Sequence, residues 1–319
     1  MPTKPKLAIS ACLLGQKVRH NGDGAEVPNL TKSWSRHLDL VGVCPEVGIG
    51  MGTPRASTRL VKRQGRMHLI DPKTNDDLSQ KMIDYAELQS DALTKAGICG
   101  FVFKSASASC GLKRVKVSED DHTTLRNDGT GLFTLVFTTL NPHIPVIEEG
   151  SLDDPLQAEH FLARVEFFSL WLEEAQSGWT AEKITQFHDS NKLFFISRSP
   201  NAKRNLGRLI AQAFDRGDHP ENVAFEYMAA AQKSLNVLTK PGPIAHAMER
   251  VLGRISPKLS AGERQEMLGV INEYRRGLQP RSAPLTLLRE HVRNCGMDNE
   301  THARFITPTP LRLALLANV

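Results

Sequence analysis

Three of the five cysteines stand at places where a strand-like apolar run gives way to a loop. These are Cys12, Cys44 and Cys110. In a parallel α/β sheet the carboxyl ends of the strands meet at one edge, and ligands bind at that edge. The sequence therefore predicts that the three thiols converge in space, although they are far apart along the chain.

Three thiolates in one place are typical of metal chemistry. Structural zinc takes four ligands, usually from Cys-x-x-Cys pairs, and this chain has no such pair. Iron–sulfur clusters are also held by thiolates, and three of them leave one iron open to act as a Lewis acid or to bind a soft sulfur ligand. The alternative is that the cysteines are simply buried. We expect that for Cys99, in a strand-like run, and for Cys295, far along the chain.

Polar residues next to the cysteines are candidates for moving protons or orienting a substrate. Glu46 follows Cys44 by two residues, and a carboxyl beside a metal cluster can move protons to or from a bound molecule. Its alternative role is a surface carboxylate. Ser107 and Ser109 precede Cys110, and their hydroxyls either orient a substrate or bond to the loop backbone. The nearest candidate cations are Lys104 and Arg55.

The first 150 residues alternate strand-like runs with loops and helical patterns. Candidate strands are Leu7–Ser10, Leu40–Cys44, Gly100–Lys104, Val115–Ser118 and Ile144–Ile147. Helices are predicted at 78–96, ending at Gly97, and at 131–140. Strands separated by helices predict an α/β domain with a mainly parallel sheet.

After Gly150 strand signals almost vanish, and the chain is predicted to be all-helical. Thr180, Ser260 and Ser282 are candidate helix N-caps. The periodic stretches are Ala158–Ala175, Thr180–Ser197, Lys203–Ala213, Glu221–Leu235, Ile244–Arg254, Ala261–Arg276 and Pro284–Asn294. The predicted domains are residues 1–152 and 153–319.

Chain length, composition and the number of cysteines restrict the class of protein. The 319 residues are 40% hydrophobic, which is enough for ordinary cores, and an odd number of cysteines argues against a disulfide framework. No apolar run is as long as the roughly 18 residues that a membrane-spanning helix needs. The polar start, Met1 to Lys6, does not resemble a secretory signal. We expect a cytoplasmic protein without a membrane anchor, and nothing in the sequence indicates an obligate protein partner.

Positive charge is distributed unevenly along the chain. The net charge is +5, of which residues 1–155 carry +1 and residues 156–319 carry +4. A basic run in the first part contains Arg59, Lys62, Arg63 and Arg66. Such cations either lie on solvated helix faces or bind a nucleic acid.

Taken together, the motifs around the cysteines resemble the thiouracil desulfidase family over residues 5 to 150. The motifs are Ser10-Ala11-Cys12-Leu13-Leu14-Gly15, Cys44-Pro45-Glu46, Gly52-x-Pro54-Arg55 and Lys104-Ser-x-Ser107-x-Ser109-Cys110-Gly111. The later part resembles the helical domain that often follows this domain in fusion proteins. Its motifs are Phe187-His188-x-x-x-Lys192, Leu206-Gly207-Arg208, Tyr274-Arg275-Arg276-Gly277 and Pro284-Leu285-Thr286-Leu287-Leu288.

The resemblance implies a cofactor, a reaction and a substrate. It implies that Cys12, Cys44 and Cys110 hold a 4Fe–4S cluster with three cysteine ligands and one open iron, and that Glu46 and Ser107 belong to the active site. The combination of domains is similar to desulfidases that convert 4-thiouridine in transfer RNA to uridine by hydrolysis and release sulfide. The helical domain is then expected to hold the RNA.

Three alternatives remain open at this point. A desulfidase of free thiopyrimidine bases or nucleosides shares the cluster and the chemistry. An iron–sulfur electron carrier or redox sensor would usually need a fourth cysteine, for which Cys99 is the nearby candidate. A non-catalytic module with structural zinc is the third.

Overall fold

A computed structural model describes residues 4–119, 125–199, 201–297 and 303–317 of the chain. The chain divides into two compact units, Met1–Asp153 and Asp154–Val319. The first is an α/β unit and the second is helical. This confirms the fold class predicted from the alternation of strand and helix patterns. None of the described helices is long and apolar enough to cross a membrane.

The first sheet of the α/β unit is entirely parallel. Its strands are ordered β2-β1-β5-β8, with β1 at Lys6–Ser10, β2 at Asp39–Val43, β5 at Ile98–Phe103 and β8 at Val146–Glu148. Ser10 pairs with Val43, so β1 and β2 end side by side. The loops that follow these two strands therefore start at the same edge of the sheet.

A second sheet contains strands that the sequence analysis did not identify. Its order is β4-β3-β6-β7, with β3 at Arg59–Arg63, β4 at Arg66–Ile70, β6 at Val115–Glu119 and β7 at Leu125–Gly129. Only β3 and β6 pair in parallel. Only β6 was predicted, since the cations of β3 and β4 led us to interpret that stretch as a basic run rather than as a hairpin.

Helices of the α/β unit cover the sheet and bring loops to its edge. They are α1 at Pro45–Gly48, α2 at Ser79–Lys95 and α3 at Leu132–Leu140. Phe101 and Phe103 lie on one face of β5, and Phe133 and Phe137 of α3 meet them with ring centroids 5.1 to 6.4 Å apart. Burial of these rings fixes α3 on the sheet.

The second unit consists of ten helices within the described residues. They are α4 at Pro155–Ala175, α5 at Ala181–Ser190, α6 at Lys192–Arg198, α7 at Ala202–Asp215, α8 at Pro220–Leu235, α9 at Pro241–Ile255, α10 at Ala261–Arg275, α11 at Ser282–Asn294, α12 at Ala303–Ile306 and α13 at Pro310–Leu316. The core around α9 is apolar, with Met248, Val251 and Ile271 fully buried.

Two details of the helix predictions are corrected here. The stretch Thr180–Ser197 is two helices, because Asn191 interrupts it with a non-helical turn. Ser282 is not a cap: Arg281 holds the N-cap position and makes no side-chain cap bond. The other two candidates do cap their helices, and Ser260 forms a full capping box with Glu263.

Candidate metal centre

One cavity of about 200 Å³ in the α/β unit is lined by the residues singled out from the sequence. It lies beyond the carboxyl ends of β1 and β2, at the loops that follow these strands. The lining includes Cys12, Cys44, Cys110, Glu46, Ser107, Arg55 and Lys104. The structure thus places together the three cysteines and both predicted active-site residues.

Cys12 is placed by a tight turn directly after β1. The turn, Ala11–Leu14, ends at Gly15, whose φ of 82° suits glycine. The carbonyl of Cys12 accepts hydrogen bonds from the amides of Gly15 and Ala25, at 3.1 and 2.8 Å. These bonds fix the backbone of Cys12 and leave its side chain at the cavity.

Cys44 is the N-cap residue of the short helix α1. Pro45 starts that helix, which suits its restricted φ, and Glu46 lies in the first turn. The thiol of Cys44 donates to the carbonyl of Val18 at 3.8 Å. The Cys-Pro-Glu motif is therefore a strand-to-helix turn that brings a thiol and a carboxylate to the same cavity.

Cys110 ends a loop that folds back on a serine hydroxyl. The Oγ of Ser107 accepts hydrogen bonds from the amides of Ser109 and Cys110, at 3.2 and 3.0 Å. Thr134 of α3 donates its hydroxyl to the carbonyl of Cys110 at 2.8 Å. The loop is thus held from within by Ser107 and from outside by α3.

The three thiols influence one another electrostatically, as near neighbours do. Burial raises the pKa of Cys12 to about 11, and the neighbouring Cys44 adds to the shift. Burial also raises the pKa of Cys110 well above its ordinary value, and Glu46, Cys44 and Cys12 raise it further. A cationic group in this cavity would favour the thiolate forms, since metal ligation deprotonates thiols.

Glu46 is surrounded by hydrogen-bond donors. Arg55 forms an ion pair with its Oε2, and the Arg55 side chain is only 6% exposed. Ser109 and Thr58 donate their hydroxyls to its Oε1, at 3.0 and 3.2 Å. All three partners donate, so both carboxylate oxygens of Glu46 have partners and its orientation is fixed.

Lys104 joins the cavity through an ion pair with Glu149. Glu149 also accepts from the amide of Ser105 at 2.7 Å. Burial works to raise the pKa of Glu149, but the bonds from Lys104 and Ser105 prevail and lower it. The pair anchors the start of the loop that leads to Cys110.

The donor set fits an iron–sulfur cluster. All five cysteines are free, and three of them line one buried cavity. Within the described residues no three Cys, His, Asp or Glu side chains are gathered around a single metal position. Three thiols that line one cavity are the kind of donor set that an iron–sulfur cluster takes, in which each cysteine binds its own iron.

Other sequence candidates lie away from the cavity. Cys99 is buried inside β5, and Cys295 packs against the apolar core of the helical unit. The basic run forms the β3–β4 hairpin. The sequence analysis did not identify Thr58, Arg19 and His20 as site residues, since the chain brings them to the cavity from loops that carry no strand or helix pattern.

Two family models match different parts of this chain. A family model described as 2-thiouracil desulfurase matches residues 7–149, and a model described as protein of unknown function (DUF1722) matches residues 192–310. The chain is 28% identical over 120 residues to the uncharacterized protein YbgA of Escherichia coli (strain K12), which is 37% of this chain and 69% of YbgA. Among solved structures it is similar to the 4Fe-4S-dependent thiouracil desulfidase TudS, at 28% identity over 47% of this chain and 94% of TudS, with a TM-score of 0.38.

The family matches confirm the resemblance drawn from the motifs. The matched range 7–149 contains all three cavity cysteines, Glu46 and Ser107. The first part of the chain is therefore similar to the 2-thiouracil desulfurase family, and the later part to proteins described as DUF1722.

Proposed function

We propose that this chain is a 4Fe–4S-dependent desulfidase that converts 4-thiouridine in transfer RNA to uridine by hydrolysis. The observation that carries the proposal is the single cavity that Cys12, Cys44, Cys110 and Glu46 share. A thiol set suited to a cluster and a carboxylate suited to proton transfer face the same space. The family of the N-terminal domain supports thiopyrimidine desulfurisation as the reaction class.

The three cysteines would hold the cluster and leave one iron without a protein ligand. When bound, the cluster would supply a soft Lewis acid for a thiocarbonyl sulfur. Ser10 and the loops around the cysteines line the same space with hydroxyl and backbone groups, which hold such clusters by outer hydrogen bonds.

Glu46 would move the protons of the hydrolysis. It takes a proton from water as the water oxygen bonds to the ring carbon, and returns it to the sulfur as the carbon–sulfur bond breaks. A second proton from the same water completes hydrogen sulfide, so no electron is transferred. Arg55 keeps the carboxylate directed at the cavity throughout.

Ser107 would contribute its hydroxyl proton. Its oxygen already accepts two loop amides, which leaves the O–H free to donate to the thiolated base or to the attacking water. In this role Ser107 both shapes the loop and touches the substrate.

Transfer RNA is proposed as the substrate because positive charge lies mainly outside the desulfidase domain. Residues 156–319 carry +4 of the net +5. Lysine and arginine contacts to phosphates bind RNA without regard to sequence, and such binding weakens as salt rises. The thiolated base would have to leave its stack to reach the cavity.

The central test is anaerobic purification followed by iron and sulfide analysis and an assay on thiolated transfer RNA. We expect about four irons and four sulfides per chain, taking the cubane stoichiometry, and loss of both cluster and activity in Cys12→Ala. Cys99→Ser is the matched control and should keep both. A Cys12→Ala protein that still binds the cluster and still desulfurises would contradict the proposal, and loss of the cluster in Cys99→Ser would favour an electron carrier or sensor.

A second candidate is a desulfidase of free thiopyrimidine bases or nucleosides. The matched family carries the name of a base, 2-thiouracil, which favours it. Comparing kcat/KM on free 4-thiouridine, 2-thiouracil and thiolated transfer RNA separates the two. A higher kcat/KM on transfer RNA supports our proposal, and a higher value on a free substrate supports the alternative.

A further inference from the structure

A basic cleft crosses the surface of the helical unit where α6, α7 and α9 meet. It consists of two adjoining cavities that share Ile196, Lys203 and Arg250. The basic cleft is defined here by its cationic side chains, which are Lys192, Lys203, Arg204, Arg250, Arg254 and, as a titratable neighbour, His246. It lies wholly within the second unit.

The side chains that line the cleft supply several positive charges. Within the described residues neither cavity is lined by an aspartate or a glutamate. Glu249, next to Arg250 on α9, forms an ion pair with Arg275 and lies 3.8 Å from His246. Cations around one open space create a local positive potential that attracts an anion, and here they are Lys192, Lys203, Arg204 and Arg250.

Basic side chains of the cleft lie along one face of α9. His246, Arg250 and Arg254 follow one another at intervals of four residues on α9, so they share one helix face. The opposite face of α9 is buried in the core through Ala247, Met248 and Val251. Like charges four residues apart on a helix repel one another, and a bound anion would relieve that repulsion.

Two helix starts add to the positive field. The second cavity is lined by Lys203 and Arg204 in the first turn of α7 and by Gly242 and Pro243 in the first turn of α9. Neither N-cap residue, Asn201 nor Lys240, satisfies a first-turn amide with its side chain. Helix N-termini carry partial positive charge, which here reinforces the lysine and arginine side chains.

The residue types that line the cleft indicate which part of a nucleic acid it binds. In the described part of the chain its lining has no phenylalanine, tyrosine or tryptophan and no asparagine or glutamine. Base recognition uses stacking on rings or paired hydrogen bonds from such amides, whereas phosphates are held by lysine and arginine. Two adjoining cavities that share Lys203 and Arg250 suit neighbouring phosphates of one strand.

We infer that the basic cleft binds the phosphodiester backbone of the RNA substrate, through neighbouring phosphates held by Lys203 and Arg250. The inference rests on the proposed function, since it takes RNA to be the substrate. It goes further by assigning the contact to one place in the helical unit, rather than to its overall charge.

The test compares two double variants of the full chain that change net charge equally. Lys203→Gln/Arg250→Gln removes two cations of the cleft, and Lys233→Gln/Arg264→Gln removes two exposed cations that do not line it. Binding of transfer RNA is measured by fluorescence anisotropy over a range of salt concentrations. We expect the cleft variant to bind about tenfold more weakly, with a salt slope reduced by about 2. The control should keep the wild-type slope.

Another double variant, thermal unfolding and a second ligand distinguish the possible outcomes. Lys203→Arg/Arg250→Lys keeps the charges and should keep the slope, and equal thermal unfolding of all variants checks folding. An equal slope in the cleft and control variants would overturn the inference while leaving the desulfidase proposal intact. Absence of RNA binding by the wild type, with activity on free 4-thiouridine, would overturn both the RNA substrate and the cleft. ATP binding lost in the cleft variant without a change in the RNA slope would reassign the cleft to free polyphosphates.

Discussion

Glu46 is the residue whose surroundings best define a chemical role. Its two oxygens receive a guanidinium and two hydroxyls, and all of these donors belong to loops around one cavity. A carboxylate whose two oxygens both accept hydrogen bonds keeps one orientation. The sequence motif indicated a carboxylate beside a cysteine, but only the fold shows that Arg55, which lies in no predicted strand or helix, becomes its partner.

The first prediction is that Glu46→Gln removes activity while the cluster stays bound. Glutamine has the same shape but cannot accept a proton from water at neutral pH, so kcat should fall by about 10² to 10⁴. Iron content and turnover of 4-thiouridine are measured together. Glu87→Gln, on the exposed face of α2, is the control. Activity near that of the wild type would exclude Glu46 as the proton carrier.

Ser107 and Ser109 have different surroundings that the sequence could not distinguish. Both precede Cys110 at similar spacing, and we predicted an active-site role for Ser107. In the structure Ser107 accepts two loop amides, whereas the fully buried Ser109 donates to Glu46. Such a division depends on the turn geometry of the loop, which residue types alone do not determine.

The second prediction separates these two serines. Ser107→Ala leaves two amides without their acceptor, which costs about 1 kcal/mol or more and should lower cluster retention during thermal unfolding. Ser109→Ala removes one donor that orients Glu46 and should lower kcat with little effect on cluster content. Thermal melts, iron content and kcat of both variants are compared. The same pattern in both variants would contradict the separate roles.

At the scale of elements, the start of α3 meets the loop that carries Cys110. A β-carbon added at Gly131 would come within 2.5 Å of the backbone carbonyl of Ser109 and 2.8 Å of the amide of Cys110. The amide of Leu132 also bonds to the carbonyl of Ala108 at 2.9 Å. Glycine at this helix start therefore permits the close approach that holds the cysteine loop.

The third prediction is that Gly131→Ala disturbs the cluster site from outside the cavity. The added methyl group must push the backbone of the Cys110 loop, and overpacking of this kind costs about 1–3 kcal/mol. We expect a lower melting temperature and less iron per chain. Gly150→Ala is the matched control, because nothing lies within 4 Å of the added β-carbon. Equal iron content in both variants would show that the loop adapts.

The elements differ in how far the sequence could predict them. The parallel strands were predicted because they are apolar runs, of which β5 is buried along its whole length. The β3–β4 hairpin was missed because cations flank the short apolar pair Leu60 and Val61, which alone does not indicate a strand. Convergence of the three cysteines followed from strand order, whereas Thr58 reaches Glu46 from a loop with no local signal.

At the scale of the whole molecule, a buried charge cluster connects distant parts of the helical unit. Glu159 of α4 is fully buried and forms ion pairs with Arg198, Arg281 and Arg312. Burial works to raise the pKa of Glu159, but the three guanidinium groups outweigh it and hold that pKa far below its usual range. Removing one partner of a buried pair costs about 3–5 kcal/mol. The cluster therefore stabilises the packing of α13 on α4.

His160, next to Glu159, makes the unit sensitive to acid. Burial, together with Arg198 and Arg164, lowers the pKa of His160 to about 3. Its Nδ1 lies 3.0 Å from a nitrogen of Arg198, so the neutral ring accepts a hydrogen bond there. Because the folded pKa is depressed, the contribution is complete above the unfolded pKa of about 6.5 and is lost as pH falls toward 3. Glu159 acts in the same direction at lower pH, since its depressed pKa also favours the unfolded state in acid.

The fourth prediction concerns this pH dependence. Between about pH 6 and 4 the free energy of unfolding of the helical unit should fall by about 1.4 kcal/mol per pH unit more in the wild type than in His160→Gln, which keeps an acceptor but cannot titrate. Trp171 and Trp179, stacked in this unit, report its unfolding by fluorescence in urea. His188, also buried with a lowered pKa, contributes equally to both proteins and cancels in the comparison. His246→Gln, at an exposed position, should follow the wild type. Parallel pH curves for wild type and His160→Gln would show that acid acts on the unit through other groups.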